Sequence, residues 1–191
     1  MEGNLIPMIG QSLLREYAEG PLESVENTHP ANLSEKVAMH RVHDSLKAMK
    51  KLDDSWNWQD LQTFRKYHAK NCIVRWPNQP PTHGIDAHEQ EAIAFFKAFP
   101  DQHLVNNPYK IMVGQGEWTC TVADFTGTMK GPMTMPDGSQ VPPTNKSFRV
   151  DFCTVARWNQ QGQIVEENLF YDLMGMLKQI GLLPDKAQKA A

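Results

Sequence analysis

Apolar residues recur at helical spacing in several stretches of the chain, roughly three to four positions apart. Ser34 is a typical helix-capping residue at the start of the first stretch, and Gly181, followed by Pro184, is a typical stop after the last. The predicted helices cover residues 34–54, 56–68, 85–100 and 173–180. The pattern therefore indicates helices at both ends of the folded region.

A different pattern dominates after Pro100, where β-branched and aromatic residues alternate with polar ones. The predicted strands lie in residues 71–76, 109–129, 147–158 and 162–172. The residues "NQQG" at 159–162 predict a tight hairpin turn, and "MPDGSQVPPTN" at 135–145 predicts a longer loop around an Asp-Gly turn.

Helices followed by an antiparallel meander and a closing helix predict an α+β fold, with the helices on one face of a curved sheet. Such a sheet encloses an apolar pocket on its concave side. We predict an extended N-terminal arm at residues 1–33, one domain at 34–184 and a short tail at 185–191.

Composition narrows the class of partner and the compartment. The 191 residues carry a net charge of -3 with a sequence pI of about 6.1, which argues against a nucleic acid or an anionic membrane as a partner. No apolar run approaches the ~20 residues of a membrane span, and the N-terminus lacks the pattern of a secretory signal. We therefore expect a cytoplasmic protein.

The three cysteines are odd in number and widely spaced, with no CxxC motif. This pattern favours buried free thiols over a disulfide framework or a structural zinc site.

An ordered series of short motifs then suggests a family. "FPDQH" is followed by "GQGEWTCTVADFTGTMKG", by "PPTNKSF" and by "GQIVEENLFYDLMGMLKQIGL". Over residues 36–184 this series resembles the SnoaL-like polyketide (ester) cyclases, within the nuclear-transport-factor-two-like superfamily. The resemblance implies a cone-shaped α+β barrel with an internal pocket, and a homodimer formed through the sheet.

The same resemblance implies an intramolecular aldol closure that needs no metal or organic cofactor, with one aspartate as general acid/base. In this chain the position of that aspartate is Leu169. The glutamine and the histidine that the cyclases carry on the preceding strand fall at Phe152 and Thr154. The superfamily also contains isomerases, dehydratases, epoxide hydrolases and proteins that only bind, so the fold does not settle the function.

Side-chain alternation along the last strand identifies the remaining pocket carboxylate. If Leu169 points into the pocket, then Val165, Glu167 and Tyr171 do so too, while Ile164 and Glu166 face outward. We hypothesise that Glu167 is a general base. The alternative is a structural carboxylate, either at the pocket mouth or paired with a buried base.

Asp172 is a second catalytic candidate, because it matches the family motif. It also stands directly before the last helix, where a carboxylate would cap the free amides. Arg75 and Trp76 close the first strand near a pocket position of the cyclases. The predicted substrate-binding residues are Arg75, Trp76, His103, Phe152, Thr154, Leu169 and Tyr171. Arg75 is expected to bind a substrate carboxylate or enolate, to neutralise Glu167, or to be a surface residue at a strand end.

The histidines give no convincing metal site. His103 is a substrate-binding candidate or a hydrogen-bonded core or turn residue. His40 and His43 have a spacing compatible with metal ligation, but His83 and His88 are expected in or near a loop and supply no clear third ligand. We expect no metal and no cofactor.

Two main functions remain open. One is a cofactor-free cyclase, isomerase or lyase that acts on a small hydrophobic carbonyl compound. The other is a non-catalytic binder of a hydrophobic metabolite, favoured by the changes at all three cyclase positions. A third, weaker possibility is an interaction module.

Overall fold

The structure is a computed structural model that describes residues 33–135 and 138–184. Apart from Leu33, the predicted arm at 1–33 lies outside the described residues, and so does the tail at 185–191. The elements, in chain order, are α1 Leu33–Asn57, α2 Leu61–Lys66, β1 His68–Arg75, β2 Thr82–His83, α3 Ile85–Ala98, β3 His103–Leu104, β4 Ile111–Gln115, β5 Trp118–Thr128, β6 Met133–Thr134, β7 Gln140–Val141, β8 Ser147–Trp158, β9 Ile164–Tyr171 and α4 Leu173–Gln179.

The first two helices are separated by a sharp turn. Gln59 has a positive φ of 55°, which ends the helical path of α1. The carboxylate of Asp60 then accepts hydrogen bonds from the backbone N–H groups of Gln62 and Thr63 and begins α2. The chain thus changes direction within three residues before α2, and β1 begins at His68 after that helix.

The main sheet has the strand order β2-β1-β9-β8-β5-β3, with β4 also paired to β5. Strands β5, β8 and β9 are antiparallel, as predicted, but β1 and β9 are parallel, so the sheet is mixed. Among the described strands, β2 and β3 form the two ends of this path without pairing to each other. The predicted α+β fold with a curved sheet and helices is confirmed, and the sheet is open among the described strands.

A β-bulge reverses the predicted alternation at the start of β9. Trp158 pairs with Ile164, whereas Arg157 pairs with Glu166, so Val165 is the extra residue. Ile164 is fully buried as a result, and Val165 is only half-buried. The predictions for these two residues were wrong, but the bulge leaves the alternation from Glu166 onward intact.

The core lies between the helices and one face of the sheet, with aromatic rings at its centre. Phe95 of α3 stacks on Phe125 of β5 at a centroid distance of 5.6 Å, and Phe125 contacts Phe152 of β8 at 5.0 Å. Trp56 of α1 packs against Phe96 of α3 at 4.7 Å. These contacts connect α1 and α3 to the central strands.

The predicted loop at residues 135–145 contains part of a small hairpin. Strands β6 and β7 pair with each other in a two-stranded sheet of their own. The Pro136–Asp137 part of the predicted turn lies outside the described residues, and Gly138 after it has a positive φ of 82°.

The outer face of the sheet carries several exposed apolar side chains. Phe170 is 56% exposed and Trp118 is 38% exposed. Cys120 and Cys153 are half-buried, whereas burial was expected, and their Sγ atoms are 3.8 Å apart. Dimerisation through the sheet stays a prediction.

Within the described part of the chain, no helix is both long enough and apolar enough to cross a membrane.

Candidate functional site

A narrow cavity lies between the helices and the inner face of the sheet. It contains about 370 Å³ of space between atoms, which includes open solvent, and the centre of a water molecule can occupy about 30 Å³ of it. Its walls are largely apolar, with four polar side chains among them. The lining residues are Leu52, Asp53, Trp56, Phe64, Trp76, His88, Leu104, Phe152, Thr154, Glu167 and Leu169.

Glu167 points into this cavity, as the alternation along β9 predicts. It is 5% exposed and faces two imidazoles. Its Oε2 atom lies 3.5 Å from His68 Nε2 and 3.4 Å from His88 Nε2. Pairing with buried bases was the structural alternative to the general-base hypothesis.

His68 was not identified from the sequence, because it falls at the end of a predicted helix. In the structure it is the first residue of β1 and is fully buried. Its Nδ1 atom lies 2.8 Å from the carbonyl oxygen of Phe64. A carbonyl can only accept, so Nδ1 carries the proton and donates it. Nε2 has no hydrogen bond with acceptable geometry among the described residues.

His88 lies in the predicted helix at residues 85–100, near the loop that precedes it. It lies one turn into α3 and is 2% exposed. Its Nδ1 atom is 3.1 Å from Glu91 Oε2, and Glu91 also accepts hydrogen bonds from Trp76 Nε1 and Thr82 Oγ1. Helical spacing places His88 and Glu91 on the same face of α3, so their pairing could have been found from the sequence.

The electrostatics of this cluster keep Glu167 ionised. Burial raises the pKa of Glu167, but the neighbouring imidazoles of His68 and His88 outweigh it and lower the pKa to about 2. Burial lowers the pKa of His88, but Glu167 and Glu91 outweigh that effect and raise the pKa to about 9. A carboxylate with so low a pKa is a weak base at neutral pH.

Asp53 is the carboxyl group that sequence reasoning missed. It lies on α1, is 7% exposed and lines the cavity. The Tyr109 hydroxyl donates a hydrogen bond to Asp53 Oδ2 at 2.6 Å. Burial raises the pKa of Asp53 to about 7, despite the lowering effect of that hydrogen bond. The only available signal was an acidic residue beside the apolar positions of α1.

Four of the predicted substrate-binding residues line the cavity, namely Trp76, Phe152, Thr154 and Leu169. Tyr171 is adjacent but does not line it. The Tyr171 ring stacks on Phe152 at 5.3 Å, and burial raises the pKa of its hydroxyl to about 12.

Two other predicted substrate-binding residues lie away from the cavity. Arg75 contacts the outer-face side chains of Glu166 and Asn168, at 2.6 Å and 3.2 Å. It therefore does not neutralise Glu167, because neighbouring residues on β9 face opposite sides. His103 is exposed at the start of β3. His40 and His43, the possible metal-binding pair on α1, are exposed as well. His40 Nε2 lies 3.3 Å from Asp44 Oδ2.

Asp172 is the N-cap of α4, as the structural alternative predicted. Its Oδ1 atom accepts a hydrogen bond from the Gly175 N–H at 2.8 Å, and the residue is exposed outside the cavity. A Cβ atom at Gly175 would lie 2.2 Å from Asp172 Oδ2, so glycine leaves room for the cap. The structure thus supplies no catalytic geometry for Asp172.

We expect Asp172→Ala to lower the free energy of unfolding by about 1 kcal/mol, because it removes the cap of α4. Asp172→Asn should cost much less, since an asparagine oxygen can accept the same hydrogen bond. Chemical denaturation of the two variants measures this difference. Equal losses in both variants would contradict the capping role.

Comparison with known proteins supports the fold. A protein from Jannaschia sp. CCS1 assigned to the SnoaL-like polyketide cyclases matches with a TM-score of 0.65 and 22% identity, over 75% of this chain and 95% of that chain. IdmH from Streptomyces antibioticus, assigned as a polyketide cyclase, matches with a TM-score of 0.57 and 23% identity, over 72% and 98%.

A protein with a ketosteroid isomerase-like fold from Catenulispora acidiphila DSM 44928, in complex with trimethylamine, matches with a TM-score of 0.57 and 16% identity, over 72% of this chain and 93% of that chain. No curated relative matches the sequence. The model of the SnoaL-like polyketide cyclase family matches residues 46–180, and the chain therefore belongs to that family.

Proposed function

We propose that the protein is an enzyme that moves a proton on a small carbonyl compound, as a cyclase, isomerase or lyase, with Asp53 as the general acid/base. The observation that carries this proposal is the buried Asp53 carboxyl group in the cavity wall, with its pKa raised to about 7. A group with this pKa is about half ionised at neutral pH and can both take and return a proton.

This assignment replaces Glu167 as the base. Glu167 is held ionised by His68 and His88, with a pKa of about 2, so it has little tendency to take a proton. Asp53 lies in the same cavity with its pKa displaced in the opposite direction. Two carboxyl groups whose environments separate their pKa values in this way take different roles.

The cavity walls indicate the chemistry of the substrate. Trp56, Phe152 and Leu169 supply apolar surface, and the hydroxyl of Thr154 is a neutral hydrogen-bonding group. The indole N–H of Trp56 is buried and has no hydrogen-bond partner among the described residues. A substrate oxygen that accepts a hydrogen bond from the Trp56 indole N–H would satisfy this donor, which is costly to leave unpaired in the interior.

The narrowness of the cavity favours a small substrate over a polycyclic one. Drug-sized ligands occupy pockets of ~300–1,000 Å³. In this cavity the volume open to the centre of a water molecule is only about 30 Å³. In the proposed reaction Asp53 removes a proton from the carbon next to a carbonyl group. The enolate oxygen accepts a hydrogen bond, and Asp53 returns the proton at the end of the cycle.

Deuterium exchange of small 1,3-diketones and β-keto esters in D₂O, followed by NMR, tests the proposal. We expect the wild-type protein to accelerate exchange at the carbon between the carbonyl groups. Asp53→Asn should reduce the protein-dependent rate by roughly 10²–10⁴-fold, because asparagine cannot take the proton. Asp54→Asn is the matched control, since Asp54 is the next residue and pairs with Lys50 outside the cavity.

The alternative function is a binder of a hydrophobic metabolite without catalysis. It is favoured by Leu169, an apolar side chain that lines the cavity where related cyclases carry aspartate. Under this alternative, the same carbonyl compounds would raise the melting temperature of the protein without any acceleration of exchange. Equal exchange rates in the wild type and in Asp53→Asn would also contradict the proposed base.

A further inference from the structure

Three potential metal-ligand atoms converge beside the middle of β9. One ligand atom of each of His68, His88 and Glu167 lies within 4.8 Å of the other two. The two contacts to Glu167 Oε2 measure 3.5 Å and 3.4 Å. Zinc bonds of ~2.0–2.2 Å in a tetrahedral site place neighbouring ligand atoms roughly 3.3 Å apart. The two contacts to Glu167 Oε2 are close to that value.

The outer nitrogen of each imidazole is already engaged by the protein. His68 Nδ1 donates to the Phe64 carbonyl at 2.8 Å, and His88 Nδ1 lies 3.1 Å from Glu91 Oε2. Metal-binding histidines almost always donate their other ring N–H to a carbonyl or a carboxylate. These contacts direct both Nε2 atoms towards Glu167.

Packing fixes the orientation of the two rings. Phe64 contacts His68 and His88 at centroid distances of 4.6 Å and 4.9 Å, and the two imidazoles are 5.1 Å apart at 70°. The side chains of the three ligand residues are at most 7% exposed. The arrangement is therefore set before any ion binds.

A hydrogen-bonded ion pair explains this geometry only in part. His68 Nε2 is fully buried and makes no hydrogen bond within the described part of the chain. Its contact to Glu167 at 3.5 Å is too long for a strong hydrogen bond. A buried nitrogen without a partner is costly, and a cation between the three residues would satisfy it.

We propose that His68, His88 and Glu167 bind one divalent transition-metal ion of the zinc class, with Glu91 as the residue that orients His88. Two imidazoles and one carboxylate suit such ions, and three protein ligands leave further coordination positions open. His88 and Glu167 line the cavity, so an open position would face a bound substrate. There the ion could polarise a carbonyl oxygen. The metal site stands whether or not Asp53 acts as the base.

Metal binding to the full chain tests the proposal without any substrate. The protein is first treated with EDTA, and the EDTA is then removed. Zn²⁺ binding is measured by calorimetric titration, and Co²⁺ binding is followed by visible absorption. We expect one ion per chain, intense Co²⁺ ligand-field bands, and two imidazoles in the zinc X-ray absorption spectrum. No binding, or a first shell that contains sulfur, would overturn the proposal.

Variants then identify the ligands. His68→Gln, His88→Gln and Glu167→Gln should each weaken binding by more than about 100-fold, because each removes a ligand. Glu91→Gln should weaken it by ~10–100-fold, as the loss of an orienting partner does. The double variant His40→Gln/His43→Gln removes exposed histidines on α1 and should bind like the wild type. Unchanged affinity in folded ligand variants, or loss in the control, would reject the assignment. If a ligand variant does not fold, the Co²⁺ and zinc X-ray absorption spectra of the wild type still show whether two imidazoles bind the ion.

Discussion

We expect Glu167→Gln to lower the free energy of unfolding by about 3 kcal/mol at pH 7, which corresponds to a melting temperature roughly 10 °C lower. Glu167 is buried against His68 and His88, and the pKa of His88 is raised to about 9. At pH 7 a neutral amide would leave a buried imidazolium with Glu91 as its remaining carboxylate. Thermal and chemical denaturation of the EDTA-treated protein measure this loss.

The matched control is Glu166→Gln, the same substitution at the preceding residue. Glu166 faces the other side of the sheet, where it contacts Arg75 at 2.6 Å and Arg157 at 3.4 Å with half-exposed partners. Partly exposed ion pairs contribute ~0–1 kcal/mol, so this variant should remain within about 1 kcal/mol of the wild type. Equal losses in both variants would show that Glu167 has no special buried role.

The second large effect concerns pH. We expect the stability of the wild type to fall between pH 4 and pH 7 by on the order of 2–4 kcal/mol relative to Asp53→Asn. The folded chain keeps the Asp53 proton up to a pKa of about 7, whereas the ordinary value is 3.8. Between these values the folded state binds more protons, so a rise in pH favours unfolding, and the full loss is present above pH 7.

The groups around Asp53 explain the direction of this effect. Burial is the largest cause, and the charges of Glu167 and Asp54 add to it, while Tyr109 and Lys50 act in the opposite sense. Asparagine is a neutral analogue of the protonated acid, and its oxygen can still accept from Tyr109. The variant should therefore resemble the wild type near pH 4 and exceed it in stability at pH 8.

Denaturation at a series of pH values, with Asp54→Asn as the control, tests this expectation. Asp54 pairs with Lys50 at 3.2 Å, and its side chain is 43% exposed. Its variant should keep the fall in stability between pH 4 and pH 7, moved slightly to lower pH because the charge of Asp54 is a minor cause of the raised pKa of Asp53. A wild-type profile parallel to that of Asp53→Asn would mean that Asp53 titrates at its ordinary pKa, and the proposed acid/base would lose its basis.

The two experiments together separate the roles of the carboxyl groups. Glu167→Gln should destabilise the protein at pH 7, whereas Asp53→Asn should stabilise it at pH 8. The two carboxyl groups differ in the side chains around them. Two imidazoles face Glu167, whereas Asp53 accepts a hydrogen bond from the Tyr109 hydroxyl in a largely apolar cavity. This contrast is the strongest reason to look for proton transfer at Asp53.

The sequence by itself determined the main helices and long strands, the fold class and one face of the last strands, but not the two-residue strands. Period-two alternation placed Phe152, Thr154, Glu167 and Leu169 on the inner face, because side chains on a strand point to alternate sides. Local chemistry predicted the Asp172 cap, since capping involves residues adjacent along the chain. The three-residue spacing of His88 and Glu91 on a predicted helix also indicated that the two side chains could pair.

Only the tertiary structure decided which groups meet. The parallel pairing of β1 with β9 starts with His68 opposite Ile164, close to Glu167, although about a hundred residues separate them in the sequence. Asp53 reaches the cavity because α1 packs over the sheet, and its raised pKa depends on that burial. The bulge at Val165 likewise arises from strand register. Such contacts depend on pairing between distant segments, which local periodicity does not encode.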